Sequence, residues 1–362
     1  QSAAGGALLY RLGRRGISAH DWPPITILKP LHGDEPMLEA ALASLCAQDY
    51  PAFQIVFGVQ DPADPALRVI GRVQARFPDV VIDVVIDGAR HGRNRKVGNL
   101  LNMIGAARHD VLVIADSDIH APPGYLRSVV AALQQPGVGL VTTVYAGLAG
   151  TPSLVGRLGA AYINHNFLTG ALVARVLRRQ DCLGATMALR RQTLEQIGGF
   201  AALADHVADD AVLGQLVRAE GLKVAVAGTV PATTVPETRL PDLVEHELRW
   251  MRTSKSIAPL GFALSVAQYP LFWATLMLVV SGFASWAWAG FGIAWLLRGA
   301  IASMLDRMLR IAAPLAIWGL PLRDFLSITI FLASYGSDRV VWRGDVHQIT
   351  RFSKTGLEPG NG

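Results

Sequence analysis

Charge is scarce in this chain. Only 17% of its 362 residues are Asp, Glu, Lys or Arg, against a usual share of about 25%. With a mean hydropathy of +0.33, that scarcity excludes a disordered or coiled-coil protein and is too apolar for an ordinary soluble enzyme. Lysine is nearly absent, since 28 of the 33 basic residues are Arg. No run of basic residues with interleaved aromatics tracks along any segment, which excludes a nucleic-acid groove and leaves the net charge of +5 to be read as membrane-facing. The two cysteines, Cys46 and Cys182, are far apart and outside any Cys-x-x-Cys, so neither a disulfide framework nor a thiolate metal site is expected and a reduced, cytoplasmic setting fits. Also missing are Gly-x-Gly-x-x-Gly after the first strand, a Lys preceded by Gly, Gly-x-Ser-x-Gly and His-Glu-x-x-His. Those gaps count against dinucleotide oxidoreductases, P-loop NTPases, α/β-hydrolases and zincins together.

What is present begins with an alternating pattern from Trp22 to about Gly228. Residues 25–29, 54–59, 80–86, 111–115 and 138–145 are β-branched, apolar and strand-like. Apolar residues recur at helical spacing in 37–47, 65–77, 97–107 and 125–133. Strands apolar on both faces and joined by helices predict an α/β fold with a mostly parallel sheet between helices, and ligands of such sheets bind beyond the carboxyl ends of the strands.

The composition then changes. Residues 256–297 run for 42 positions without an Asp, Glu, Lys or Arg, where one span needs about 20. Two spans fit, turning near Ser281–Gly282. Arg249, Arg252 and Lys255 before the stretch and Arg298, Arg307 and Arg310 after it put both ends of such a hairpin on the cytoplasmic side. A buried helical hairpin of a soluble protein is the alternative. Arg323 and Asp324 split the shorter apolar runs 311–322 and 325–337, which read as interfacial or re-entrant. The chain opens at Gln1 with an apolar stub followed by Arg11, Arg14 and Arg15, which looks like the end of a longer membrane segment. The expected organisation is therefore 1–21 as stub and basic linker, 22–255 as a cytoplasmic catalytic domain, 256–310 as a transmembrane hairpin, and 311–362 as interfacial helices and tail.

Acidic residues fall where this topology ends its strands: Asp61, Asp87, Asp116 with Asp118, and Asp209-Asp210 opening a helix. Carboxylates gathered at one end of a sheet repel one another unless a cation or a donor-rich ligand lies between them, and Mg²⁺ or Mn²⁺ bridging to a diphosphate would supply that. An Asx-type cap at a strand-to-helix turn explains Asp116-x-Asp118 equally well. Of the doubled pair, one carboxylate can orient the turn while the other accepts a proton; Asp210 is preferred over Asp209 by a narrow margin. Lys96, in Asn-Arg-Lys-Val-Gly-Asn at an expected helix start, suits an anion or a solvated surface. His246-Glu-Leu-Arg249-Trp250 lies just before the apolar stretch, as an interfacial aromatic with snorkelling Arg would.

Taken in order, Asp61, Asp116, Asp210 and Arg249-Trp250 resemble the three spaced aspartates and the Gln/Arg-x-x-Arg-Trp box of inverting GT-A glycosyltransferases of the ceramide glucosyltransferase type. Lys-Pro-Leu-His-Gly at 29–33, the Lys96 segment and Val-Val-Trp342-Arg343-Gly extend the likeness over about 24–350. His246 departs from the box, which usually has Gln or Arg there. Within the family, Ala-Asp-Ser-Asp-Ile and Ala-Asp-His-Val-Ala-Asp-Asp are similar to a bacterial hopanoid-biosynthesis-associated branch, which transfers N-acetylglucosamine from UDP to a polyhydroxylated hopanoid.

The resemblance implies a GT-A domain followed by a helical membrane domain, in a multi-pass protein of a bacterial inner membrane. It also implies transfer of N-acetylglucosamine or glucose from a UDP donor to a lipid hydroxyl, a hopanoid or, alternatively, ceramide. By the same resemblance Asp210 is the base, acting with Arg249 and Trp250. Asp118 and Asp116 hold Mg²⁺ or Mn²⁺, while Pro30, His32, Gly33, Asp61, Lys96, Asp116 and His246 contact the nucleotide sugar. A polysaccharide synthase would need more spans, and a non-catalytic lipid-binding protein would need no Asp-x-Asp.

Overall fold

The computed structural model describes residues 1–13, 16, 19 and 21–336, and the backbone of four short strands between 339 and 357. Arg14, Arg15 and the side chains of Trp342 and Arg343, all read above from sequence, lie outside the described residues. In chain order the elements are α1 (Ser2–Gly13), β1 (Ile25–Pro30), α2 (Leu38–Cys46), β2 (Phe53–Val59), α3 (Ala66–Arg76), β3 (Val81–Ile86), α4 (Arg95–Met103), β4 (Val111–Ala115), β5 (Ile119–His120), α5 (Tyr125–Leu133), β6 (Val138–Thr142) and β7 (Ala146–Ala149). Next come α6 (Leu154–Tyr162), α7 (Leu168–Val176), β8 (Thr186–Arg190), α8 (Arg191–Gln196), α9 (Asp209–Ala219), β9 (Lys223–Val226), β10 (Ala232–Val235), α10 (Leu240–Ile257), α11 (Pro259–Leu264), α12 (Pro270–Val280), α13 (Ser285–Met308) and α14 (Leu320–Ala333).

Two compact units emerge. One, the sheet unit, consists of Leu9–Ala146 and Ala174–Thr234; the other, the helical unit, of Gln1–Leu8, Gly147–Val173 and Val235–Gly362.

The sheet unit is built on seven strands in the order β3-β2-β1-β4-β8-β6-β9. β1, β2 and β4 are continuous apolar runs, and they pair in parallel with Ile25 opposite both Phe53 and Val111. Their side chains are buried on both faces, as expected for strands covered by helices. Gly58 in β2 leaves the space that α4 fills, because a Cβ there would lie 2.3 Å from the Met103 sulfur.

Two expectations change. β3 is an edge strand with Val81 and Ile86 exposed, not apolar-covered on both faces. The strand expected over 138–145 ends at Thr142, and beside it runs β8, which the sequence pattern did not single out. β8 is antiparallel to both β4 and β6, so the sheet is mixed, with four parallel strands on one side.

Among the described residues the helical unit contains most of the exposed large apolar side chains: twenty of the twenty-eight lie between Leu260 and Tyr335. One described helix, α13, is long and apolar enough to cross a membrane, at 24 residues or about 36 Å. The expected first arm of the hairpin is broken. Pro259–Gln268 and Pro270–Val280 meet at a bend of 65°, because Pro270 cannot donate to the preceding turn and drives Tyr269 out of helical geometry (φ −103°, ψ 75°). The turn itself falls where expected. The N–H of Phe283 bonds to the Leu278 carbonyl and that of Gly282 to Val279, with Gly282 at φ 66°, a glycine-terminated helix end.

Arg323 and Asp324 do not divide two segments. Both lie inside the continuous α14 and are fully buried. Arg323 forms a two-pronged pair with Glu247 of α10, 2.8 Å on each prong, and adds bonds to the Leu158 carbonyl and Ser327. Asp324 accepts from the Leu271 N–H at 3.1 Å and lies 3.5 Å from Arg298.

Candidate active site

Within the sheet unit, β4 delivers Asp116 and Asp118 beyond its carboxyl end, and α4 and α9 begin near the same point. Asn94 ties those two starts together. Its side chain caps α4 by accepting from the Val97 N–H, and its amide donates to the His206 carbonyl at 2.8 Å and to Asp209 at 3.3 Å. Lys96, one residue into α4, thereby reaches both neighbours: its Nζ is 2.7 Å from Asp116 Oδ1 and 3.3 Å from Asp209 Oδ2. Burial alone would lower the Lys96 ammonium, yet Asp116 and Asp209 outweigh it and hold the group charged, above the usual lysine range.

The adjacent aspartates at the start of α9 have separate surroundings. Asp209 is buried and held by Lys96 and by the Asn94 amide. Asp210 accepts from the N–H of Ala211 at 2.8 Å and packs on Gly184, where an added Cβ would lie 3.1 Å from its Oδ2. Burial, and then the charge of Asp209, push the Asp210 carboxyl up to about 7, against a downward pull from Lys96. A carboxyl poised there can accept a proton near neutral pH.

Asp118 accepts a hydrogen bond from the Thr233 hydroxyl. Burial, and next Asp116, raise it to about 6. Beneath the pair lies a residue that sequence reading left without a role. Lys29 of β1 is fully buried and donates to the Asp116 carbonyl at 2.7 Å; burial lowers its ammonium to about 8, while Asp118 and Asp116 pull it back. The signal was available, since a lysine inside an otherwise apolar strand is one of only five in the chain.

The loop after β1 shows a second omission. Asp64, not Asp61, organises it: the Gly33 N–H donates to both Asp64 oxygens at 3.0 and 3.1 Å, and the exposed His32 lies 3.4 Å away through Nδ1. Gly33 takes φ 77°, a conformation in which a side chain would be strained. Asp61 is exposed and accepts from the Ala63 N–H in its own turn. Pro30 ends β1, buried. Thus Lys96, Asp116 and Asp209 are brought together, with Asp118 and Asp210 electrostatically coupled to them, while Asp61 folds onto its own loop.

His246, Arg249 and Trp250 belong to the helical unit, on α10. His246 is hydrogen-bonded to Glu237 through Nδ1 and meets Trp250 edge-on at 4.4 Å, and Trp250 in turn lies 6.3 Å from Phe167. Arg249 is half-buried.

Among the described residues no group of three or more His, Cys, Asp or Glu side chains is gathered as a metal cage. Asp116 and Asp118 are instead an all-oxygen pair of the kind that hard divalent cations take, and burial, followed by the charge of Asp116, raises the proton affinity of Asp118.

The architecture is that of a GT-A-like α/β fold followed by helices. It resembles a mannosyltransferase from Pyrobaculum calidifontis in complex with GDP-Man and Mn²⁺, at a TM-score of 0.53 and 18% identity, covering 92% of this chain and 95% of that one. The description of Glycosyl transferase family 21 matches residues 7–354, and the chain belongs to that family. Among curated relatives, ceramide glucosyltransferase 1 of Caenorhabditis elegans is 23% identical over 231 residues, 62% of this chain and 48% of that protein. A ceramide glucosyltransferase of Komagataella phaffii is 34% identical over 116 residues, 31% of this chain and 23% of that protein. The chain spans about half the length of the first two curated relatives it matches, 48% and 54%. Both of these relatives are ceramide glucosyltransferases by name, and neither is named for the hopanoid acceptor expected from the motifs.

Proposed function

We propose that this protein is a membrane-bound inverting glycosyltransferase that moves glucose from UDP to the primary hydroxyl of a ceramide-like lipid. The observation that carries the reading is the gathering of Lys96, Asp116 and Asp209 at the carboxyl end of β4, with Asp210 raised to about 7 beside them. Asp210 takes the proton of the acceptor hydroxyl as it attacks the anomeric carbon, and Asp209, tied to Lys96 and Asn94, fixes the start of α9 so that its neighbour stays free to do so. A single displacement inverts, so an α-linked donor yields a β-glycoside.

Asp118, with Asp116 beside it, would hold Mg²⁺ or Mn²⁺. The bound cation would supply charge neutralisation for the departing diphosphate. Lys29 offsets part of the negative charge of the aspartates from below. The loop of Pro30, His32 and Gly33, braced by Asp64, contributes to the nucleotide subsite with Asp61. His246, Arg249 and Trp250 act on the donor by family resemblance. The apolar surface of 260–335 and the basic flanks support a membrane protein with its sheet unit on the cytoplasmic side, and the family resemblance alone makes that membrane a bacterial inner one.

The test is transfer from labelled UDP-glucose or UDP-N-acetylglucosamine by membranes containing the full chain, offered ceramide or a polyhydroxylated hopanoid, with lipid products read by mass spectrometry. Glucosylceramide formation that EDTA abolishes is expected. A glycosylated hopanoid as sole product would restore the motif-based acceptor, and transfer to neither lipid would overturn the reading.

A further inference from the structure

The end of α13 encloses a space that the proposed reaction does not use. A cavity of about 290 Å³ lies between its last turns and the loop leading to α14, lined by Ser303, Asp306, Arg307, Arg310, Ile311 and Leu315 among others. Its size approaches the lower limit of small-ligand pockets, enough for a lipid headgroup but not for a whole lipid.

The backbone brings both arginines to it in a specific way. The N–H of Ile311 bonds to the Asp306 carbonyl at 2.9 Å and that of Arg310 to Arg307 at 3.2 Å, which is the Schellman helix end. The left-handed position of that motif is ordinarily glycine, yet here it is Arg310 at φ 55°. An arginine occupies a position that the backbone disfavours, and its side chain lines the cavity. The one carboxylate of the lining is already engaged, since Asp306 Oδ1 lies 2.9 Å from His165 Nε2. The cavity therefore offers two exposed guanidiniums and a hydroxyl, a donor set suited to phosphate oxygens.

Ile317 lines the cavity too, and the adjoining Trp318, 75% exposed, packs edge-on at 5.3 Å to Trp295 in the middle of α13, so exposed apolar surface adjoins the arginine-lined end.

We infer that this cavity binds the phosphate of a membrane phospholipid headgroup through Arg307 and Arg310. The inference rests on reading α13 as a membrane span and not on the transfer reaction.

Native mass spectrometry of the full chain in uncharged detergent tests it, with dioleoylphosphatidylglycerol, dioleoylglycerol and inorganic phosphate as probes. One tightly held phosphatidylglycerol per chain is expected, with no comparable dioleoylglycerol adduct. The Arg307→Gln/Arg310→Gln double variant should weaken that adduct at least roughly tenfold, and the double Lys variant should retain part of it, showing that the fold is intact. Equal retention by the wild type and the Gln variant overturns the site, and so does inorganic phosphate that binds as tightly as the lipid. Flotation with phosphatidylcholine vesicles separates the two failures: a chain that does not float fails the membrane reading, whereas one that floats but retains phosphatidylglycerol equally in both forms fails the site alone.

Discussion

Ionised side chains are used in opposite ways in the two units. In the sheet unit they crowd at strand ends, with more carboxylates than ammonium groups, and burial followed by the charge of the neighbouring carboxylate raises the proton affinities of Asp118 and Asp210. In the helical unit, Glu247 is matched one to one with Arg323 deep among helices, and His165 is hydrogen-bonded to Asp306 there. Groups of the first kind are poised to change partner or protonation state and therefore suit chemistry, while those of the second kind fix one helix against another. Substitution should separate the two kinds.

The largest effect belongs to the base. Asp210→Asn keeps the shape and removes the proton acceptor, so kcat should fall about 10²–10⁴-fold with donor KM little changed. An active Asp210→Asn beside a dead Asp209→Asn would exchange the roles of the two residues.

On the helical side, Glu247→Gln should cost about 3–5 kcal/mol of stability in detergent, because it strands the buried Arg323 guanidinium. The double change Glu247→Met with Arg323→Met should recover most of that loss. If the single change leaves the unfolding midpoint untouched, the contrast between the units fails.

Acidity should distinguish them too. Asp210 must be ionised to accept a proton, so transfer should be full above its pKa of about 7 and decline as pH falls through that value. Lys96→Met removes a charge that lowers the Asp210 pKa, and should therefore move this acid limb to higher pH; a pH-rate profile that keeps its limb in place would detach Lys96 from Asp210. The smallest effect is at the turn between α12 and α13, where Gly282→Ala at positive φ should cost about 1 kcal/mol, read as a small drop in thermal midpoint without loss of transfer.

These contrasts also explain what could be read from the chain alone. β1, β2 and β4 were legible as short continuous apolar runs and α2 and α5 because their burial writes itself into a helical period, and α9 and the Gly282 turn because their terminating residues are adjacent in sequence. Lys29, Asp64 and Arg323 were not, since a polar side chain acquires its role from a partner far along the chain: the Asp116 carbonyl for Lys29, the Gly33 N–H for Asp64, Glu247 for Arg323. β8 was passed over for a related reason. Its antiparallel place between β4 and β6 is set by long connections that no short window contains.

The helical unit takes Gly147–Val173 from the middle of the chain and most of the rest from Val235 onward, and this sets an order of events during synthesis. At the usual translation rate the intervening residues 174–234 take about 3–12 s to make, and through that interval the Gly147–Val173 segment has left the ribosome before its partners exist. Leu158 and Ala161, which end up buried against Leu243, Leu271 and Leu320, are uncovered for those seconds, making this excursion the part of the nascent chain most in need of a chaperone or an early hold on the bilayer.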